Sequence, residues 1–113
     1  MSDVTIYHNP RCSKSRETLE LLRSRGVEPV VIEYLKTPPT ADELTAILAK
    51  LGKKPRAVTR AKEAAEAGIA RELDGAALVA ALSAHPAAIE RPIVVRGDHA
   101  RIGRPPESVL EIL

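Results

Sequence analysis

The order of the short apolar runs restricts the fold of this chain more than any other feature. β-Branched runs at 4–7 and 30–34 flank a stretch, 13–26, in which Leu19 and Leu22 share one helical face. A strand, a helix and a strand joined by short links form a β-α-β unit, whose two strands run parallel. The first third of the chain therefore predicts the start of a layered α/β domain.

The end of the chain has a different pattern. A β-branched run at 92–95 is followed by a turn at 96–99, and residues 100–103 can return antiparallel to that run. The segment 105–113 reads as a closing helix, since proline is tolerated in a first turn. The order β-α-β and then β-β-α is the thioredoxin-like arrangement, an α/β fold.

The residues between these two parts read as helices. Thr40 and Glu43 have the spacing of a capping box, and an apolar helical stripe follows them at 44, 47, 48 and 51. Further helices are predicted around a weak point at Gly68 and then from Asp74 to Pro86. We therefore predict a single thioredoxin-like domain over 1–113 with a helical insertion at about 40–88.

Composition excludes several classes of protein. The 113 residues include no Phe, no Trp and two Tyr, and the net charge is only +2. Nucleic-acid binding normally needs a more concentrated basic patch with aromatic residues for stacking, so none is expected. No apolar run is long enough to span a membrane and no signal-peptide pattern is present, which predicts a cytoplasmic protein without membrane contact. A monomer is expected.

The chain has one cysteine, Cys12, so an internal disulfide is impossible and a reducing compartment fits. The three histidines, His8, His85 and His99, do not combine with Cys12 in any zinc-ligand spacing, and no metal site is expected. Any redox cycle at Cys12 would need a thiol from outside the chain.

Cys12 is either a small buried filler residue or a reactive thiol. The residues around it are polar or basic, which argues against a core position: His8, Asn9, Arg11, Ser13, Lys14, Ser15 and Arg16. A thiol at a helix N-terminus faces unpaired N–H groups and the positive end of the helix dipole, and adjacent cations favour the thiolate further. The setting favours a reactive Cys12.

The same helix start is suited to an anion, since the N–H groups of residues 13–15 can bind an oxyanion. Arg60, Arg91 and Arg104 are candidates to complete the site. A single arginine is most often a solvated surface charge, but Arg91 and Arg104 stand at the ends of elements, where sites are built. His8 either supports the thiolate electrostatically or hydrogen-bonds the loop.

Several motifs resemble those of the glutaredoxin-dependent arsenate reductase family, which also contains Spx-type regulators. They are "IYHNPRCSKSR", "TPP", "RPIVV" and "RIGRPPESVLEIL", in the family's order and spacing from about residue 4 to the C-terminus. The resemblance implies a thioredoxin-like fold with a helical insertion and an oxidoreductase that converts arsenate to arsenite. In such folds the proline opposite the reactive cysteine is cis, here Pro92, although an X-Pro bond by itself favours trans.

The resemblance also implies roles for individual residues. Cys12 corresponds to the nucleophile on arsenate, His8 to a histidine that lowers the thiol pKa, and Ser15 to a position that hydrogen-bonds the thiolate. The residues matching the oxyanion-binding arginines are Arg60, Arg91 and Arg104. Glutathione as co-substrate and glutaredoxin as partner supply the external thiols, and no tightly bound cofactor is implied.

The chain departs from the family pattern in one place. Arsenate reductases of the family usually read C-G-T-S-R after the nucleophile, whereas here Ser13 and Lys14 stand in the anion-binding turn. This leaves two alternatives to arsenate reduction. One is a thiol-disulfide or glutathione-handling oxidoreductase of the same family with another substrate. The other, less favoured, is an Spx-type regulator that binds RNA polymerase, whose oxidant-sensing members carry C-x-x-C where this chain has Ser15.

Overall fold

The computed structural model describes residues 3–113, in which four strands form one mixed sheet of order β2-β1-β3-β4. The strands are β1 (Val4–His8), β2 (Val30–Glu33), β3 (Ile93–Arg96) and β4 (His99–Ile102). β1 pairs parallel with β2 and antiparallel with β3, and β3 pairs antiparallel with β4. The predicted parallel pair and the closing hairpin are both confirmed.

The first helix, α1 (Ser13–Ser24), connects the parallel strands. Its C-terminal turn leads to Gly26, whose φ of 78° is the left-handed conformation that glycine adopts most readily. Leu22 of the helix packs in a core with residues of β1, β3 and the closing segment, namely Val4, Ile6, Val94, Val109 and Ile112. Aliphatic residues alone fill this core, as the lack of Phe and Trp requires.

The buried face of α1 begins with polar residues that the hydrophobic pattern did not reveal. Ser15 and Thr18 are fully buried together with Leu22. Thr18 lies four residues before Leu22, and Ser15 lies three residues before Thr18, so all three share one face of the helix. This spacing was visible in the sequence. Ser15 and Thr18 lie on the part of the helix nearest Cys12.

The segment predicted as a closing helix is a 3₁₀ helix, Pro106–Ile112. Its buried residues, Pro106, Val109 and Ile112, recur every three positions. A 3₁₀ helix has three residues per turn, so this spacing keeps all three on one side of the segment. Val109 and Ile112 thereby join the core of the sheet.

The chain divides into two compact units, one formed by the residues up to Thr37 with Arg91–Leu113, the other by Pro38–Glu90. The second unit contains α2 (Ala41–Leu51), α3 (Ala61–Glu66) and α4 (Gly75–Ala84), with short 3₁₀ helices at Pro55–Val58 and Pro86–Ala88. Both bonds of the predicted capping box are present, at 3.1 Å and 2.9 Å between Thr40 and Glu43. The first and last of the helices in this unit begin at Ala41 and end at Ala88.

Candidate active site

The loop after β1 brings Cys12 to the N-cap position of α1. Cys12 has extended backbone angles, φ −95° and ψ 123°, so the chain turns into the helix immediately after it. Its N–H donates to the carbonyl oxygen of Asn9 at 3.0 Å, and its carbonyl accepts from the N–H of Arg16 at 3.0 Å. The backbone of Cys12 is therefore held from both sides, which limits the positions of its sulfur.

Asn9 shapes this loop, a role that sequence reasoning missed. The side chain is buried, and its Oδ1 accepts from the N–H of Arg11 at 3.0 Å. This hydrogen bond forms an Asx turn, which lies within the larger turn closed by the backbone bond from the N–H of Cys12 to the carbonyl oxygen of Asn9. The Asn-Pro pair at 9–10 was the available signal, because this dipeptide is typical of turn initiation.

The half-buried thiol of Cys12 is surrounded by donors. Partial burial by itself would raise its pKa. Opposing this are hydrogen bonds from the N–H of Ser15, the Arg91 side chain and the N–H of Lys14, together with the charge of Arg104, and the net effect lowers the thiol pKa. These two N–H groups are among the three that the sequence predicts for an oxyanion site.

Two of the three candidate arginines, Arg91 and Arg104, lie beside this thiol. The Arg104 Nη2 lies 3.5 Å from the Cys12 sulfur, and its Nε donates to the carbonyl oxygen of Arg91 at 2.8 Å. The Arg91 side chain also hydrogen-bonds the thiol. Arg91 precedes a cis peptide bond to Pro92, and Arg104 precedes a second one to Pro105. The fold thus brings together two guanidinium groups that the sequence separates.

His8 and Ser15 form a buried pair beneath the loop. The His8 Nδ1 lies 2.6 Å from the Ser15 Oγ, which also accepts from the N–H of Asn9 at 3.0 Å. The Ser15 hydroxyl therefore joins His8 to the backbone of the loop. The geometry shows the loop-bonding role of His8, one of the two alternatives drawn from the sequence.

Burial is the largest influence on His8 and lowers its pKa. Glu33, which is paired with His8 across β1 and β2, acts in the opposite direction, while Arg23 and Arg16 lower the pKa further. A lowered pKa favours the neutral imidazole at pH 7, so His8 acts on the loop through its hydrogen bond with Ser15 and not through a full charge.

Two further cations have partners of their own. Arg60 lies in the helical unit, where its Nη1 bonds Glu90 Oε1 at 2.9 Å and its Nε is 3.3 Å from Glu63 Oε1. The Lys14 Nζ lies 3.5 Å from Glu17 Oε2, one turn further along α1. The Lys14 side chain is therefore directed along the helix surface.

The lowered thiol pKa predicts an unusually reactive cysteine at neutral pH. Alkylation by iodoacetamide requires the thiolate, so its rate should fall only as the pH drops through the lowered pKa, below the ordinary value of about 8.5. Mass spectrometry of quenched samples between pH 5 and 10 measures this midpoint. The same chain in concentrated guanidinium chloride is the control. A folded-state midpoint equal to or above the unfolded one would contradict the assignment.

Neither a metal centre nor a membrane-spanning helix is found in the part of the chain that the structure describes. Among residues 3–113, no three His, Cys, Asp or Glu side chains cluster as ligands of a metal ion would. Within the same range, every helix is too short or too polar to cross a membrane.

Comparison with known proteins points to one family. The model of the family described as ArsC matches residues 7–112. An arsenate reductase of Haemophilus influenzae is 49% identical over 97% of this chain and 98% of its own. The uncharacterized protein YfgD of Escherichia coli K12 is 53% identical over 97% of this chain and 96% of its own.

Solved structures extend the likeness to three dimensions. A structure of an arsenate reductase from Vibrio cholerae matches with a TM-score of 0.91 and 52% identity, over 97% of each chain. The predicted thioredoxin-like α/β fold is confirmed by this match. Since the family model covers nearly the whole chain and the relatives align almost end to end, the chain belongs to the ArsC family.

Proposed function

We propose that this protein is an arsenate reductase in which the Cys12 thiolate is the nucleophile. The observation that carries the proposal is the convergence of Arg91, Arg104 and the N–H groups of Lys14 and Ser15 on one thiol of lowered pKa. The same arrangement supplies an activated nucleophile and positive charge for a tetrahedral oxyanion. Relatives about half identical to this chain are named arsenate reductases.

In the first step the thiolate sulfur attacks As(V) and forms an S–As bond. One arsenate oxygen takes up protons and leaves as water, so arsenic remains As(V) in the Cys12 adduct. The arginines offset the negative charge of the anion while it is held beside an anionic sulfur. Without them, thiolate and arsenate would repel each other.

In the second step the thiolate of glutathione attacks the Cys12 sulfur. An S–S bond forms, the S–As bond breaks, and its electron pair stays with arsenic, which leaves as As(III) in arsenite. Glutaredoxin then removes glutathione from Cys12 by thiol-disulfide exchange and regenerates the thiol. External thiols suit a chain whose only cysteine is Cys12.

The remaining predicted residues have supporting parts in this proposal. Arg91 and Arg104 bind the oxyanion, and Arg60 is the third oxyanion-binding arginine that the resemblance assigns. His8 and Ser15 hold the loop that precedes Cys12 through the hydrogen bonds of the Ser15 hydroxyl. The dependence on glutathione places the reaction in the cytoplasm, and a monomer supplies every assigned residue.

The proposal is tested by arsenate reduction in the presence of glutathione, glutaredoxin, glutathione reductase and NADPH. We expect NADPH oxidation that depends on arsenate and on glutaredoxin, with formation of an equal amount of arsenite. Phosphate is the matched control anion, because it has the same shape and charge but is not reduced by thiols.

Two outcomes would separate the alternatives. If no arsenite formed although Cys12 was readily glutathionylated and then cleared by glutaredoxin, the thiol-disulfide alternative would replace arsenate reduction. If Cys12 neither reduced arsenate nor exchanged with glutathione, and the chain were recovered bound to purified RNA polymerase, the regulator would replace both.

A further inference from the structure

Gly103 lies at an unusually close contact between two parts of the candidate site. A Cβ atom at this position would lie 2.5 Å from the Thr18 Oγ1 and 2.8 Å from the Pro92 Cγ. It would also lie 3.1 Å from the Thr18 Cγ2. Side chains essentially never approach a Cβ this closely, so only glycine permits this approach of the backbone.

Neither neighbour can move aside easily. Thr18 is fully buried on α1, and its hydroxyl donates to the carbonyl oxygen of Lys14 at 2.7 Å. Pro92 is also fully buried, and its carbonyl oxygen accepts from the N–H of Gly103 at 2.9 Å. A methyl group at 103 would therefore separate α1 from the hairpin, because close-packed interiors resist extra volume.

The backbone of Gly103 does not itself require glycine. The other five of the six glycines have positive φ, whereas Gly103 does not. Alanine can adopt its conformation without strain, so the effect of an alanine at this position would come from the contacts with Thr18 and Pro92. Replacement of Gly103 therefore tests a steric effect, whereas replacement of a glycine with positive φ tests the effect of backbone strain.

Gly103 is joined directly to the residue that contacts the thiol. The N–H of Arg104 donates to the carbonyl oxygen of Ile102 at 2.9 Å, which forms a tight turn centred on Gly103. From this turn the Arg104 side chain reaches both the Cys12 sulfur and the carbonyl oxygen of Arg91. Cys12 lies on the other side of the contact, at the start of the helix that contains Thr18.

We propose that Gly103 is a positioning residue, whose close contact with Thr18 and Pro92 sets the distance between the Cys12 thiol and the Arg91–Arg104 pair. The effect on substrate binding rests on the proposed function. The effect on the thiol does not, because it follows from the geometry of the unliganded site.

The test is Gly103→Ala, measured in two independent ways. The first is the pH midpoint of Cys12 alkylation by iodoacetamide, which should move upward as Arg91 and Arg104 move away from the sulfur. The second is the KM for arsenate, which we expect to rise about tenfold, the loss of one charge-assisted hydrogen bond, with a smaller change in kcat. A purely structural role would lower thermal stability and leave the alkylation midpoint in place.

Gly97→Ala is the matched control in the same hairpin. Gly97 has φ +59°, and an added Cβ there would have no atom within 4 Å. Its replacement destabilises through backbone strain without pushing on α1. We expect an alkylation midpoint and a KM equal to those of the unaltered protein.

A second variant adds Thr18→Ala to Gly103→Ala and removes the closest atoms on the helix side. Its midpoint and KM should lie between those of Gly103→Ala and the unaltered protein, because the contact with Pro92 remains. If Gly103→Ala does not fold, the double variant is compared with Thr18→Ala alone, and an upward shift of the midpoint is still expected because the contact with Pro92 remains. The inference is overturned if the folded Gly103 variant shares the midpoint of the Gly97 control. If the unaltered protein does not turn over arsenate, the proposed function is wrong. The alkylation midpoint of the Gly103 variant then decides by itself whether Gly103 is a positioning residue.

Discussion

Cys12→Ser is expected to abolish arsenate reduction, with a loss of at least about a thousandfold, near the detection limit of the coupled assay. A serine hydroxyl is not ionised near neutral pH, so the donors that lower the thiol pKa cannot make it a comparable nucleophile. Even if an oxygen adduct formed, it could not form the disulfide that carries two electrons to arsenic. The measurement is NADPH oxidation with glutathione and glutaredoxin, together with direct detection of arsenite.

The serine variant should otherwise resemble the unaltered protein. The hydrogen bonds that hold position 12 come from its backbone, and serine is a good N-cap residue. Circular dichroism and the thermal midpoint provide the control for folding. Turnover that survived the replacement would mean that another group attacks arsenate, and the assignment of Cys12 would be wrong.

Arg104→Lys is expected to lower kcat/KM for arsenate by about 10- to 100-fold although the charge is retained. The reason is geometric: the Arg104 guanidinium reaches the Cys12 sulfur with Nη2 while its Nε bonds the carbonyl oxygen of Arg91. An ammonium group lacks this planar fork and cannot hold both partners in the same way. We also expect the midpoint of Cys12 alkylation to rise, since the contact of the Arg104 Nη2 with the Cys12 sulfur is lost even though a positive charge remains.

Arg101→Lys provides the matched control. Arg101 lies in the same hairpin, where its Nε is 3.2 Å from Glu111 Oε1 in an exposed ion pair. Such pairs contribute little to stability, so this variant should keep the kinetics and the thiol midpoint of the unaltered protein. The role assigned to Arg104 would be contradicted if its lysine variant behaved like the Arg101 control.

The strands and most helices were predictable because their signals are local. A β-branched run, a capping box at Thr40 and a left-handed glycine at 26 each depend on a few adjacent residues. The closing segment was predicted as a helix, but its 3₁₀ form depends on the burial of every third residue, which is decided by the core. Periodicity over such a short segment does not distinguish the two helix types.

In the candidate site, too, some features were predictable from neighbouring residues and others depended on the fold. The polar, basic loop and the helix start identified Cys12 as a reactive thiol, and the resemblance pointed to His8, Ser15 and the arginines. Neither source indicated that the Ser15 hydroxyl is bound to His8 and to the N–H of Asn9 beneath the loop. This contact joins β1 to α1, and only the tertiary structure shows it.

By itself, the sequence determined the order of the elements, the aliphatic core and the position of one thiol at a helix start, because these follow from neighbouring residues. Only the tertiary structure decided which charges surround that thiol. Arg104 and Cys12 are 92 residues apart in sequence and meet because β3, β4 and α1 pack together, with Gly103 at the closest point of contact. The distance between Arg104 and the Cys12 sulfur depends on the packing of the whole sheet unit, so no local pattern of residues can predict it.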